Sequence, residues 1–139
     1  MKRNRLPAVT GVAAAIVVGL VLAGCMFFTR PPIERITWYV SSWSEQATLP
    51  TDVSLSLYFD GDGYAGSTGV NDFTGKLDRN GHTLKLGEPH LTTRETGTWT
   101  QQTAERAFLT ALPQITRWDV QGSSLTLTGG DREFVLVTR

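Results

Sequence analysis

The chain has 139 residues with 13 basic side chains, 13 acidic ones and a single cysteine, the size of one domain with one core. Three of the basic residues fall within the first five positions, so the remainder carries ten against thirteen acids and is mildly acidic. That argues against a nucleic-acid partner, which needs a basic face to neutralise phosphates. With its one cysteine, Cys25, ahead of the domain, thiol catalysis, disulfide exchange and a cysteine-rich zinc site are excluded within the folded part.

Lys2, Arg3 and Arg5 precede an uncharged apolar run from Ala8 to Ala23, the n-region and h-region of a signal peptide spanning residues 1–24. The run ends in Leu22-Ala23-Gly24-Cys25, which resembles the bacterial lipobox. The resemblance implies cleavage before Cys25 and a diacylglycerol and palmitate anchor on its sulfur. The domain is then expected on the extracytoplasmic side of the cell membrane or the outer membrane. An uncleaved signal anchor from Pro7 to Phe28 is the alternative, since such a segment could cross ~30 Å of hydrocarbon at ~1.5 Å per residue. Either way the basic residues stay inside and the domain lies outside. Residues 25–35 read as the lipidated cysteine and a short tether, stiffened by Pro31-Pro32 and reaching at most ~35 Å.

The domain is expected over residues 36–139. Ile36 to Val40 is β-branched and aromatic, a first strand, and Ser44 to Asp52 is a polar loop. Ser54 to Phe59 alternates polar and apolar, and Asp60-Gly61-Asp62-Gly63 turns the chain. Gly66, Gly69 and Gly75 with Asn71 frame an irregular crossing between strands, in which Phe73 points inward and the Asn71 amide holds neighbouring backbone. Strands Phe73 to Leu77 and Thr83 to Leu86 flank Asp78-Arg79-Asn80-Gly81, a hairpin signal. Leu91 to Thr96 reads as a further strand. Ala104, Ala107, Phe108, Ala111 and Leu112 have helical spacing, with Thr103 as cap and Pro113 as stop, giving a helix over about 103–112. Arg117 to Gln121, Leu125 to Thr128 and Glu133 to Thr138 complete seven or eight short strands. The fold class is mainly β, an antiparallel barrel or strongly curled sheet with one α-helix.

The stretch Gly66-Ser67-Thr68-Gly69-Val70-Asn71-Asp72-Phe73-Thr74-Gly75 after a strand ending in Phe59-Asp60-Gly61 resembles the META domain of HslJ-like envelope lipoproteins. That family's mark is Gly-Cys-Asn with a glycine four residues on; Gly69, Asn71 and Gly75 match, and Val70 replaces the cysteine. A second family cysteine aligns with Gly97. The resemblance spans roughly Ile36 to Arg139 and implies a disulfide in the family that this chain lacks. It also implies a link to heat shock and antibiotic tolerance without an established reaction.

Other chemistries find weak footing. Asp60-Gly61-Asp62-Gly63 lacks the third ligand and closing glutamate of a calcium loop. Gly69 to Lys76 has the wrong spacing for a phosphate loop, and Gly66-Ser67-Thr68-Gly69 is one residue too short for a nucleophile elbow. His82 and His90, with Glu88 and Asp78, could supply a carboxylate and imidazole metal site, but they fall where exposed histidine is ordinary. Asp60 with Asp72 is the carboxylate pair open to acid and base work. Trp38, Trp43, Trp99 and Trp118 plug the barrel ends or, for Trp43 and Trp99 in polar surroundings, present a contact for lipid, glycan or protein. The expectation is therefore a non-catalytic lipoprotein without catalytic residues, metal or cofactor, whose partner is the membrane and an envelope protein or apolar ligand. A small apolar-ligand carrier is the alternative, and an envelope enzyme the more distant one.

Overall fold

The computed structural model describes residues 33–44 and 48–139. The elements are β1 Thr37–Trp43, β2 Ser56–Asp60, β3 Gly63–Ser67, β4 Asp72–Asn80, β5 Thr83–Leu86, β6 His90–Leu91, α1 Trp99–Ala111, β7 Arg117–Gln121, β8 Ser124–Gly129 and β9 Arg132–Val137. Their order β3-β2-β1-β9-β8-β7-β5-β4 closes because β4 also pairs with β3, so eight antiparallel strands form a barrel. The two residues of β6 extend the β5 side of β4. This is the mainly β, barrel-like class with one helix that the sequence predicts. The expected leader, Leu22, Ala23, Gly24, Cys25 and the tether as far as Pro32 lie outside the described residues.

Antiparallel alternation puts the connections at two unlike ends. One end has the tight turns β2–β3, β4–β5 and β7–β8, and each opens on a glycine at φ near +60° (Gly61, Gly81, Gly122), the conformation that two-residue hairpins demand at that position. The chain also enters the barrel here, through buried Ile33, whose carbonyl accepts from Trp38 Nε1 at 3.0 Å. The other end gathers the long connections: the β1–β2 loop, the β3–β4 crossing, and the excursion through β6 and α1. Helix α1 covers that end with Ala104, Phe108 and Ala111, spaced four and three residues apart so that one face is apolar.

The interior is filled. Leu55, Leu57, Phe59, Leu84, Leu86, Leu125, Leu127 and Leu136 are buried from the alternating inward positions of the strands, as the period of two requires. Edge-to-face ring contacts run from Tyr64 to Phe73 (6.3 Å), Phe73 to Phe108 (6.0 Å), Phe108 to Phe134 (5.7 Å) and Phe134 to Trp43 (5.6 Å). This string ties the helix to opposite walls of the barrel. The glycine crossing feeds it directly, because Gly75 lies opposite Tyr64 and Gly66 opposite Phe73. A Cβ at either glycine would collide with the facing ring, so the aromatic side chains lie flat across the bare backbone.

Four boundaries differ from the sequence expectation. Strand β1 runs on past Val40 to Trp43, because the register shifts between Val40 and Ser42; this bulge reverses the inward parity and turns Trp43 into the core. The segment expected as a strand from Leu91 to Thr96 pairs only at His90–Leu91. Helix α1 starts at Trp99, with Thr98 as its cap in place of Thr103. Strand β4 runs three residues past the expected end at Leu77, so that Asp78, Arg79 and Asn80 are paired with β5 and the loop is only Gly81-His82.

Candidate functional site

Two arrangements stand at the helix-covered end. The first is centred on Asn71, which is buried. Its Nδ2 donates to the Glu95 carbonyl (3.0 Å) and to the Glu105 carboxylate (3.0 and 3.3 Å). Its Oδ1 accepts from Thr93 Oγ1 (3.0 Å) and from the Glu95 amide (2.6 Å). Thr68, also buried, completes the junction: Oγ1 accepts from the Asn71 main-chain N–H at 2.9 Å and donates to Glu105 Oε2 at 2.6 Å. Three separate pieces of chain, the β3–β4 crossing, the stretch before α1 and α1 itself, are thus joined through one amide. Both ends of that amide are satisfied, as a buried polar group requires.

Beside it, Val70 and Gly97, the positions aligned with the family's cysteines, are neighbours. A Cβ built on Gly97 would sit 2.6 Å from Val70 Cγ2 and 2.6 Å from Gln101 Oε1. Gly69 has φ +79° and lies so close to the Ser54 carbonyl that a Cβ would approach it to 2.9 Å, which accounts for glycine at that turn.

The second arrangement is a groove of about 330 Å³ lined by Trp43, Pro50, Trp99, Thr100, Thr103, Ala104 and Ala107. Trp99, the first residue of α1, is 81% exposed, whereas Trp43 is 8% exposed. Trp99 is nevertheless fixed at its base, because Thr98 and Gln101 form a capping box: Thr98 Oγ1 accepts from the Gln101 amide at 3.2 Å and Gln101 Oε1 accepts from the Thr98 amide at 2.9 Å. Thr98 Oγ1 also meets Asp52 Oδ2 at 3.0 Å and Gln101 Nε2 donates to the Asp52 carbonyl at 2.8 Å, tying the helix start to the β1–β2 loop. Trp38 and Trp118 give their indole hydrogens to the Ile33 and Gly81 carbonyls. Trp43 Nε1 is buried without a partner, the one side-chain nitrogen or oxygen so placed among the described residues.

The remaining predicted constellations come apart. Asp60 closes β2 and Asp72 opens β4, at opposite ends of the barrel, so they form no carboxylate pair. His82 sits in the β4–β5 turn with Nδ1 3.2 Å from the Trp118 carbonyl, while His90 lies across from Thr74 on β6. Among the described residues no three His, Cys, Asp or Glu side chains gather as a metal site. Asp60 to Gly63 is a hairpin turn. Tyr64, whose hydroxyl donates to the Gly87 carbonyl at 2.6 Å, has its pKa pushed up by burial and then by Glu88. Sequence reading did not anticipate Thr68, Glu105 and Gln101. The pattern Thr98-x-x-Gln101 was a visible signal for the cap; nothing local marks Glu105 as the partner of Asn71.

A small closed antiparallel barrel, covered at one end by a helix and clasped there by a buried asparagine, defines the structural class. The chain belongs to the META domain family, whose model matches residues 31–139. It is similar to a protein from Burkholderia xenovorans solved by NMR, with TM-score 0.63 and 20% identity over 77% of this chain and 83% of the other. It is also similar to a DUF4847 family protein from Bacteroides vulgatus ATCC 8482, with TM-score 0.58 and 13% identity over 77% of this chain and 94% of the other. At these identities the likeness is one of fold. The chain matches no curated protein.

Proposed function

We propose that this META domain is held at the extracytoplasmic face of a membrane by lipid on Cys25. There it acts without catalysis, associating with an envelope component in envelope stress or antibiotic tolerance. The observation that carries the reading is the contrast between a filled interior and an open groove that displays a rigidly mounted, exposed Trp99. A barrel carries a small ligand only when side chains leave room for it. Trp38, Phe59, Phe73 and Phe108 are fully buried here, which favours association at the outer surface over carriage inside.

The test has two arms. Mass spectrometry of the protein from intact cells is expected to find an acylated cysteine as the N-terminal residue, and Cys25→Ala should block lipidation and cleavage together; an intact Met1 leader without lipid would establish the signal anchor instead. A photo-crosslinking side chain at position 99 is expected to form adducts in intact cells that the same group at position 123, in the turn at the other end, does not. Equal labelling at the two positions would remove the groove from the reading.

A further inference from the structure

Closing the barrel leaves one strand edge over. β3 joins β4, and the sheet order then ends on β6, which pairs with β4 alone among the described residues. The register Phe73↔Leu91 and Thr74↔His90, with the Thr92 main-chain N–H donating to the Asp72 carbonyl at 2.8 Å, fixes which groups of β6 face outward. His90 and Thr92 direct their main-chain groups toward β4, so the Leu91 N–H and C=O point the other way. Neither has a hydrogen-bond partner among the described residues. The Leu91 side chain is likewise uncovered: it shares a face with its partner Phe73, which is buried, yet it is 39% exposed because no strand follows β6. Such an edge is a template for one more strand.

The sequence around Leu91 is complementary to itself. In an antiparallel pair related by a two-fold axis, a residue on one side of the centre meets the residue equally far to the other side in the second copy. Glu88 and Arg94 stand three residues to either side of Leu91. Both are exposed, and neither forms an ion pair among the described residues. Pairing centred on Leu91 sets Glu88 of each copy opposite Arg94 of the other, whereas an in-register parallel pairing would oppose like charges. It also joins the two Leu91 residues by reciprocal N–H···O=C bonds and brings their Cβ atoms to about 5 Å, so that each side chain covers the other. Pro89 has no N–H to add, which keeps the ladder short and the association weak, in the manner of transient interfaces.

We infer that β6 is a self-association edge, on which two copies of this chain pair antiparallel through residues 88–94 about Leu91. The surface is separate from the Trp43–Trp99 groove, so crosslinks at position 99 bear on the groove alone. Disulfide trapping in the full chain, returned to lipid vesicles, tests the pairing. In this register His90 of one copy and Thr92 of the other form a close pair with Cα atoms about 4.5 Å apart, within disulfide reach. A mixture of His90→Cys and Thr92→Cys chains should therefore oxidise to the mixed dimer about fivefold faster than either variant alone forms its own dimer. Cys25 is common to both variants and lies ahead of the domain. Glu88→Lys and Arg94→Glu should each slow the trapping about fivefold, because two attractions become two repulsions, and combining both reversals in one chain should restore it. Mixed dimers that form no faster than the dimers of either variant alone, or trapping that neither reversal moves, would overturn the register. A photo-crosslinking side chain at position 91 in intact cells should give an adduct of twice the mass of the chain. Adducts with a different protein only would assign the edge to another strand and overturn self-association.

Discussion

The Asn71 junction and the Trp43–Trp99 groove occupy the same end of one barrel and treat their polar and apolar groups in opposite ways. At the junction each hydrogen-bonding group of the Asn71 amide has a partner, and the partners come from two other segments, the stretch before α1 and α1 itself. In the groove a large indole stands in solvent and another indole keeps a buried Nε1 unpartnered. A network satisfied in this way fixes geometry and has nothing left to offer a ligand. The groove retains unspent contact capacity on a backbone that the same end holds still. The difference separates what builds the fold from what is available for recognition, and it can be tested by breaking each region.

The largest effect is expected at Asn71. Asn71→Ala leaves the Glu95 amide and carbonyl and part of the Glu105 carboxylate without partners, at about 1 to 3 kcal/mol for each group that stays buried. For a domain of this size 1 kcal/mol is roughly 4 to 8 °C, so the melting temperature of the full chain should fall by about 10 °C or more. Asn71→Asp should be at least as harmful near neutral pH, because it places a second carboxylate beside Glu105, where the amide nitrogen now lies 3.0 Å away. Adding Glu105→Gln to Asn71→Asp should recover part of the loss. Calorimetric melts of the three variants test this, and a change of only a degree or two in Asn71→Ala would mean that the junction is not the clamp.

The second test supplies a covalent substitute. Val70 and Gly97 stand close enough that Val70→Cys with Gly97→Cys should oxidise to a disulfide, once Gln101 yields the space that a Cβ at Gly97 needs. Closing a loop of this size is worth about 3.5 kcal/mol in the unfolded-chain account. Crowding at Gln101 should reduce that to about 2 kcal/mol, or roughly 8 to 16 °C. The oxidised double variant should melt above its reduced form, and it should restore much of what Asn71→Ala loses, since both devices hold the crossing to the stretch before α1. The native chain has neither cysteine in the domain, so its own melt should be unchanged by dithiothreitol.

These two regions were unequally legible in the sequence. Alternation and glycine turns located most strands because each signal is confined to a few residues. The glycine crossing with Asn71 could be read for the same reason. Glu105 is 34 residues from Asn71 and is one ordinary exposed-type residue on a helix; only the closed barrel brings it under the amide. Strand β1 reads only as far as Val40 in the sequence because the bulge at Ser41 breaks the alternation on which strand reading depends, which leaves Trp43 outside the expected strand. Apolar periodicity begins near Ala104 and points to a helix start at Thr103, whereas the capping box at Thr98 sets the boundary more than a turn earlier.

A smaller effect is expected at Tyr64, which, like the junction, is a buried polar group with its partner supplied. Its raised pKa means that the folded state keeps the phenol protonated at a pH where the unfolded chain would release it. The stability this contributes is full below the ordinary tyrosine value of about 10 and is lost as the pH rises beyond it. Tyr64→Phe removes the bond to Gly87 and should cost about 1 kcal/mol near neutral pH. Absorbance titration of the full chain should show one tyrosine ionising later than the others, and this late step should vanish in Tyr64→Phe.

The smallest effect on stability is expected at Trp99, and that smallness is what the comparison demands. Its side chain is mostly in solvent and its backbone is held by Thr98 and Gln101, not by its own ring. Trp99→Ala should therefore change stability by no more than about 0.5 kcal/mol, a shift of roughly 2 to 4 °C at most. Trp43→Phe provides the control from inside the groove. It shortens a buried ring that meets Phe134 edge to face at 5.6 Å, yet it also removes an indole hydrogen that has no partner. Losing that orphan offsets part of the lost packing, so the net cost should stay below the 3 to 5 kcal/mol typical of truncating a buried aromatic to alanine. If Trp99→Ala instead lowered the melting temperature as far as Asn71→Ala, the exposed indole would be part of the architecture and the groove would lose its standing as the surface kept for a partner. A nearly unchanged melt of Trp99→Ala, together with crosslinks from position 99 that position 123 does not give, would place this residue on the side of recognition.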